Sequence, residues 1–254
     1  MNFTTGNYSD IGTTRATNQD SLCVMQAETS VGNVCMAIVC DGMGGLAKGE
    51  VASASVITEF ARWFEEDLKE FLPEYVLDEI IETWRQKILY LSDRMKEYGM
   101  STKNILGTTF SGILIINNQY VWMHVGDSRI YKMQSQGVMQ MTSDHTVVAR
   151  EVANGNMTLE EAAHSKLRSR LTQCVGASQV LEPEVGKGTL EANTCLLLCS
   201  DGFYHRITEE ELLELGKRPF QNEVEIDNAC REAVKKVMQR GEKDNITVAL
   251  IKSY

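Results

Sequence analysis

Four aspartates stand where the chain should least tolerate them. The apolar run Val34 to Cys40 leads directly into Asp41-Gly42, and CLLLCS leads into Asp201-Gly202. VWMHVG ends in Asp127, and Asp244-Asn245 immediately precedes the apolar ITVALI. Aspartate is a poor strand residue and costly to desolvate unpaired, so these carboxylates need cationic partners or a place at a strand rim. Taken singly, each Asp-Gly reads as a turn. Taken together, strand ends gathered at one edge of a sandwich would form an all-oxygen donor set, which suits a hard cation such as Mg²⁺ or Mn²⁺. Gly42 then has a reason, since glycine lets the chain turn so that a carboxylate and a backbone carbonyl face one ion. Upstream, TTRATNQDS places Arg15 and Asp20 just before a strand. Alone, Arg15 is a solvated surface charge. Beside a carboxylate-held metal its fork would grip the peripheral oxygens of a phosphate monoester.

Other chemistries fit less well. Seven cysteines are an odd number, no CxxC pair occurs, and most sit inside apolar strands (Cys35, Cys40, Cys195, Cys199), so they read as buried reduced thiols. No HCx₅R loop is present to support a thiolate nucleophile. The four histidines, at 124, 145, 164 and 205, form neither HExxH nor HxxxH, which argues against a histidine metal site.

The elements that must position the aspartates are legible as patterns. Strands are expected at Ser21 to Gln26, Asn33 to Cys40, Thr108 to Ile116, Tyr120 to Val125, Arg129 to Met133, Thr194 to Cys199 and Asn245 to Ile251. Turn residues between several of them suggest antiparallel meanders. Apolar residues in helical phase run through Leu77, Ile80, Trp84, Ile88, Leu91 and Met95. A second stripe follows Gly45 (Val51, Ala54, Ile57, Ala61, Phe64), and a third carries Ile226, Ala229, Cys230, Ala233, Val234 and Val237. With no linker and no fixed-period repeat, residues 1–254 read as one α+β domain of two packed antiparallel sheets flanked by helices. From 146 to 176 no continuous stripe appears; Asn154-Gly155-Asn156 reads as a turn and Thr158 to Ala163 as a short capped helix, together a surface flap.

With 43% hydrophobic and 24% charged residues, 254 residues can bury a sizeable core. A net charge of -10 argues against nucleic-acid and anionic-membrane partners. Neither a secretory signal nor a span of bilayer length is expected, so the cytoplasm is the expected compartment.

In order along the chain, Arg15 with Asn18-Gln19-Asp20, Asp41-Gly42-Met43-Gly44-Gly45, Gly107-Thr108-Thr109, Gly126-Asp127-Ser128-Arg129, Thr142 through Asp144-His145, Ser200-Asp201-Gly202 and Asp244-Asn245-Ile246-Thr247 resemble the metal-dependent protein phosphatases, the PPM or protein phosphatase 2C family. The compact length and Asp-Gly-Met-Gly-Gly are similar to its stand-alone bacterial members. The resemblance implies hydrolysis of phosphoserine and phosphothreonine in proteins by direct attack of a metal-bridging hydroxide, on a β-sandwich with the site in an edge cleft. It implies that Asp41 bridges two ions, that Asp201 and Asp244 complete the first, and that the Gly42 carbonyl binds the second. Asp20 would hold metal-bound water, Asp127 with Asp201 a third ion, and Arg15 the phosphate. Asp41, Asp20 and Asp201 are thus the catalytic candidates, and the flap over the cleft a candidate for substrate selection. Expected partners are phosphorylated proteins and a cognate Ser/Thr kinase, with the enzyme itself a monomer. The sequence departs from the family at Gln19, where many members carry Glu, and at Met43, where eukaryotic members carry a histidine proposed as general acid. Two alternatives are a non-catalytic phosphoprotein-binding pseudophosphatase and a partner-switching phosphatase acting on anti-sigma antagonist proteins.

Overall fold

The computed structural model describes residues 1–43 and 48–254. Two antiparallel sheets form its centre, and each expected strand is present. In chain order the first elements are β1 (Phe3–Asp10), β2 (Asp20–Thr29), β3 (Gly32–Met43) and α1 (Gly49–Arg62). The helical chain continues through α2 (Leu68–Phe71) to the long α3 (Leu77–Thr102). Next come β4 (Gly107–Thr108), β5 (Phe110–Ile116), β6 (Gln119–Val125), β7 (Arg129–Gln134) and β8 (Gly137–Gln140). Two short helices, α4 (Val147–Ala153) and α5 (Leu159–His164), precede β9 (Glu184–Thr189) and β10 (Cys195–Cys199). The chain finishes with α6 (Asp201–Tyr204), α7 (Glu209–Lys217), α8 (Glu223–Gln239) and β11 (Ile246–Ser253).

One sheet has the order β1-β11-β10-β7-β8; the other runs β2-β3-β5-β6-β9, with β4 paired to β3. Strand periodicity explains the unbroken apolar runs. In β3, Val34, Met36, Ile38 and Cys40 face α1 and α3, while Cys35, Ala37 and Val39 face the other sheet. In β10, Leu196 and Leu198 join the layer between the sheets, and Cys195, Leu197 and Cys199 pack on the α7 and α8 side. Strands covered on both faces have no polar side to show, so alternation disappears from the sequence.

The α3 stripe buries Ile80, Trp84, Ile88, Leu91 and Met95, and α8 buries Ile226, Ala229, Cys230, Val234 and Val237, both on the expected faces. In α1 the phase is different. The buried face is Gly49, Ala52, Ser53, Val56 and Phe60, whereas Val51 is exposed. The expected stripe lay one position away because small residues, Gly49 and Ser53, make the close contact with β2 and β3 and were not counted as apolar. Gly44 and Gly45, from which that helix was counted, lie outside the described residues. Three strands were not expected. β1 is half polar, β8 is four residues, and β9 carries two glycines that accommodate the rings of Trp122 and Tyr120 on β6.

The helix expected near 158–163 is α5, with Thr158 and Glu161 forming a capping box, and Asn154-Gly155-Asn156 is the turn before it, with Gly155 at φ +74. The helix α4 was not expected. Its segment is fastened at both ends, by a Thr146–Leu171 bridge and by a Thr108–Val175 bridge. Among the described residues no helix is long and apolar enough to cross a membrane.

Candidate active site

The layer between the sheets changes character towards one edge. Leu22 and Val24 on β2, and Ala37 and Val39 on β3, are apolar there, and the next inward positions on these strands are Asp20 and Asp41. The register of β2 and β3 sets Asp20 directly opposite Asp41. On β10 and β11 the same parity leads from Leu196 and Leu198 to Ser200, and from Ile251 and Ala249 to Thr247. Ser200 Oγ donates to Asp20 Oδ2 at 2.7 Å, and Thr247 N donates to Ser200 Oγ at 3.0 Å. Asp20 from one sheet is thereby joined to the strand end of the other that leads into Asp201.

These carboxylates are mutually destabilising as anions. Burial, then the neighbouring Asp201 and Asp244, raises the Asp20 carboxyl to about 7 despite hydrogen bonds from Thr247 and Ser200. Burial followed by Asp20, Asp201, Asp127 and Asp244 holds Asp41 well above its ordinary range. Asp127 is raised well above that range by burial and by Asp201, and Asp201 is raised by burial with His205 opposing. Five aspartates within mutual electrostatic reach ask for cations. Asp20 Oδ1 and Asp201 Oδ1 are buried without a hydrogen-bond partner among the described residues. Orphaned, aimed oxygens in an all-carboxylate donor set fit divalent hard cations.

The Asp-Gly junctions are not turns. Asp41-Gly42 lies inside β3, and Gly42 is required for space: a Cβ there would meet Gly49 O at 2.2 Å and Gln19 O at 2.5 Å. The expected role of Gly42 in turning the chain is therefore replaced by close approach. Asp201-Gly202 opens α6, where a Gly202 Cβ would strike Asn245 O at 2.1 Å.

The remaining motif residues prove to be supports. Thr109 Oγ1 accepts from Asp41 N at 2.8 Å and pairs with Ser128 Oγ at 2.7 Å, while Thr108 Oγ1 donates to Asp41 O at 3.0 Å. Asn245 donates to Ile11 O and Thr17 O and accepts from Gln19 N, stapling the loop that carries Arg15. Arg129 forks onto Asp144 at 2.9 and 2.7 Å and lies 3.5 Å over the Tyr204 ring. Gln19 Nε2 donates to Glu50 Oε2 at 3.3 Å, so a glutamate at 19 would face a second carboxylate. Sequence reasoning singled out these motifs without assigning these roles, because each role depends on a partner far along the chain.

Arg15 is half exposed and forks onto Asp244, at 2.7 and 2.6 Å, which raises the pKa of the guanidinium further. The arginine expected at phosphate and the aspartate expected at metal are thus adjacent at the rim. Met43 ends β3. Of the two histidines carried by neighbouring motifs, His124 has both ring nitrogens committed. His124 is fully buried with Nε2 against Gly126 O and Nδ1 against Ser111 Oγ, and burial lowers it to about 3. His145 Nδ1 accepts from Gly126 N at 3.2 Å. With Glu184 these two histidines form a group of metal-ligating side chains separate from the aspartates, but His124 has both nitrogens committed. His205 at the end of α6, passed over in the sequence, is close enough to act on the charge of Asp201.

An edge cluster of aspartates at the end of a helix-flanked double sheet is a donor set suited to divalent cations. The chain belongs to the protein phosphatase 2C family, whose model matches residues 13–250. It is similar to the protein phosphatase PhpP of Streptococcus pneumoniae, 31% identical over 250 residues, covering 96% of this chain and 94% of that protein. Among solved structures it is similar to the S. agalactiae serine/threonine phosphatase, 30% identical, TM-score 0.87, covering 100% of both chains. A further similar structure is the catalytic domain of the serine threonine protein phosphatase PstP in complex with 2 manganese ions, 27% identical, TM-score 0.78, covering 98% of this chain and 97% of that one. The protein is accordingly a serine/threonine protein phosphatase, of a family that uses Mn²⁺ or Mg²⁺.

Proposed function

We propose that Asp41 is the shared ligand of two divalent ions, with Asp201 and Asp244 completing one and the Gly42 carbonyl serving the other, and that Asp127 with Asp201 takes a third. Residues 1–254 would act as one catalytic domain, monomeric and cytoplasmic, on phosphoproteins made by a Ser/Thr kinase. When bound, the ions lower the pKa of water and neutralise charge on the phosphoryl group. The chain's own residues do the rest. Asp20 accepts a hydrogen bond from Ser200 through Oδ2, leaving Oδ1 to orient water in line with phosphorus. Arg15 turns its fork from Asp244 to two peripheral phosphoryl oxygens. Segment 146–176 serves as the flap beside the cleft. The observation that carries the reading is the pair of buried, unpartnered oxygens on Asp20 and Asp201 amid like charges.

The test is hydrolysis of p-nitrophenyl phosphate and a phosphothreonine peptide after chelation and after adding Mn²⁺ or Mg²⁺. Activity is expected to vanish with EDTA and return with metal. Full activity in EDTA would remove the metal mechanism, and inactivity with every metal would return the pseudophosphatase reading.

A further inference from the structure

Beside the aspartates lies a groove of about 870 Å³, far larger than a phosphothreonine side chain needs. It adjoins the site through three neighbours of the candidate ligands: Arg129 and Tyr204 follow Asp127 and Asp201 within three residues, and Lys243 immediately precedes Asp244. Its far wall is α4 and α5, which present Val148, Val152, Leu159 and Ala162. Leu159 is 78% exposed although it heads α5. Val148 and Ala162 behind it are buried, so Leu159 is the apolar side chain this wall offers to a ligand in the groove.

The charges of the groove do not balance. Arg129 and Asp144 satisfy one another, and Arg206 leans on Glu242 at 3.7 Å. Arg168 on the flap side and Lys243 on the opposite side line the groove and make no ion pair among the described residues. Two uncompensated cations across an apolar wall, in a chain of net charge -10, are a local field of the opposite sign. Acidic residues elsewhere on the surface are screened within about 8 Å at physiological salt, and the site aspartates beside the groove would be neutralised by bound divalent cations, so with metal present Arg168 and Lys243 set the sign of the field.

We propose that this groove binds the peptide flanking the phosphorylated residue, and that it selects segments carrying a leucine-like side chain for the α4–α5 wall and a carboxylate for Arg168 and Lys243. This rests on the phosphatase reading above and adds the class of sequence it acts on. An apolar contact and an exposed charge pair each contribute modestly, and together amount to a preference of about tenfold in kcat/KM.

The experiment compares two phosphothreonine peptides of equal length on the full chain with saturating Mn²⁺, one flanked by leucine and glutamates, the other by glycine and lysines. The ratio of their kcat/KM values is the readout, which cancels any general change in the enzyme. Wild type should favour the acidic, leucine-bearing peptide about tenfold. Arg168→Glu should reduce the ratio to about one or invert it. Leu159→Ser, at an exposed position that folding does not need, should lower it about threefold. A wild-type ratio near one, or a ratio unmoved by both variants, overturns the proposal. So does a Leu159-dependent dimer seen by light scattering, which would make a second copy the occupant. If neither peptide nor p-nitrophenyl phosphate is hydrolysed with metal, it is the phosphatase mechanism that fails; hydrolysis of both peptides without preference sinks the groove alone.

Discussion

The floor and the outer wall of the candidate site are made of different material. The floor is strand ends: Asp41 on β3 is held by Thr108 of β4 and by Thr109 just after it, and Asp20 on β2 by Ser200 just after β10. The wall is α4 and α5, seven and six residues long, in a segment closed on itself by the Thr146–Leu171 bridge and tied to the body by Val175–Thr108. Charge that repels must be fixed by many long-range bonds, since any slack lets the carboxylates separate. A surface meant to meet varied peptides gains from short elements with few obligations. The proposed chemistry is concentrated on the floor and the proposed selectivity on the wall, so substitutions in the two regions should fail in different ways.

The sharpest break is expected at Asp41→Asn. Burial and four other aspartates raise its carboxyl, so the amide relieves repulsion while removing the proposed shared ligand. Activity with saturating Mn²⁺ should fall about 10³-fold or more, as losing metal clamping costs several kcal/mol of barrier. The melting temperature of the metal-free protein should rise, and its increase on adding Mn²⁺ should shrink. A metal-free protein destabilised by this change would show that the aspartates are not in conflict.

Arg15→Ala comes next. In the proposed role Arg15 would hold phosphate alike in ground and transition states, so KM for phosphate monoesters should rise about tenfold with kcat within about threefold. Arg15→Lys should recover only part of this, because an ammonium has no fork. The melting temperature should barely move, as an exposed ion pair contributes about 1 kcal/mol at most. An unchanged KM would leave Arg15 as a rim partner of Asp244 only.

Much of this contrast was legible in the sequence, for unequal physical reasons. Strands buried on both faces, β3 and β10, announce themselves by composition, and α3 by period. The aspartates were visible because they interrupt those runs. The phase of α1 was not, since the contact there is made by Gly49 and Ser53 and close approach has no hydropathy. β9 was hidden by Gly186 and Gly188, whose purpose lies in rings on β6. The outward-facing groove depends on α4 and on Arg168 and Lys243 meeting from positions 75 residues apart, as 243 minus 168 gives. No local pattern encodes such a meeting.

pH should separate the regions as well. A carboxyl whose native pKa lies above its unfolded value keeps a proton in the folded state that the unfolded chain has released. Its stabilisation is complete below the unfolded value of 3.8 and is lost as pH rises through the native one, about 7 for Asp20. The metal-free protein should therefore melt at higher temperature at about pH 6 than at about pH 8. Saturating Mn²⁺ holds the carboxylates charged and should abolish or reverse that slope. Equal slopes with and without metal would place the titration outside the floor.

The smallest effect is expected on the wall. Thr158 caps α5 by accepting from Glu161 N at 3.2 Å, while Glu161 Oε2 accepts from Thr158 N at 2.8 Å. Removing such a cap costs about 1 kcal/mol of helix stability. In a buried helix that loss would be shared by the whole fold, but α5 buries only Ala162 and sits in a segment closed by the Thr146–Leu171 bridge and tied to the body by Thr108–Val175. Thr158→Ala should therefore speed amide hydrogen exchange across 159–164 about fivefold, the equivalent of about 1 kcal/mol, while global melting shifts by less than about 1 °C. Hydrolysis of p-nitrophenyl phosphate reports the floor, and the preference between flanked peptides reports the wall; only the second should weaken. If the cap variant lowered the melting temperature as much as a core substitution, the segment would belong to the same cooperative unit as the strands, and the division between a fixed floor and an adaptable wall would fail.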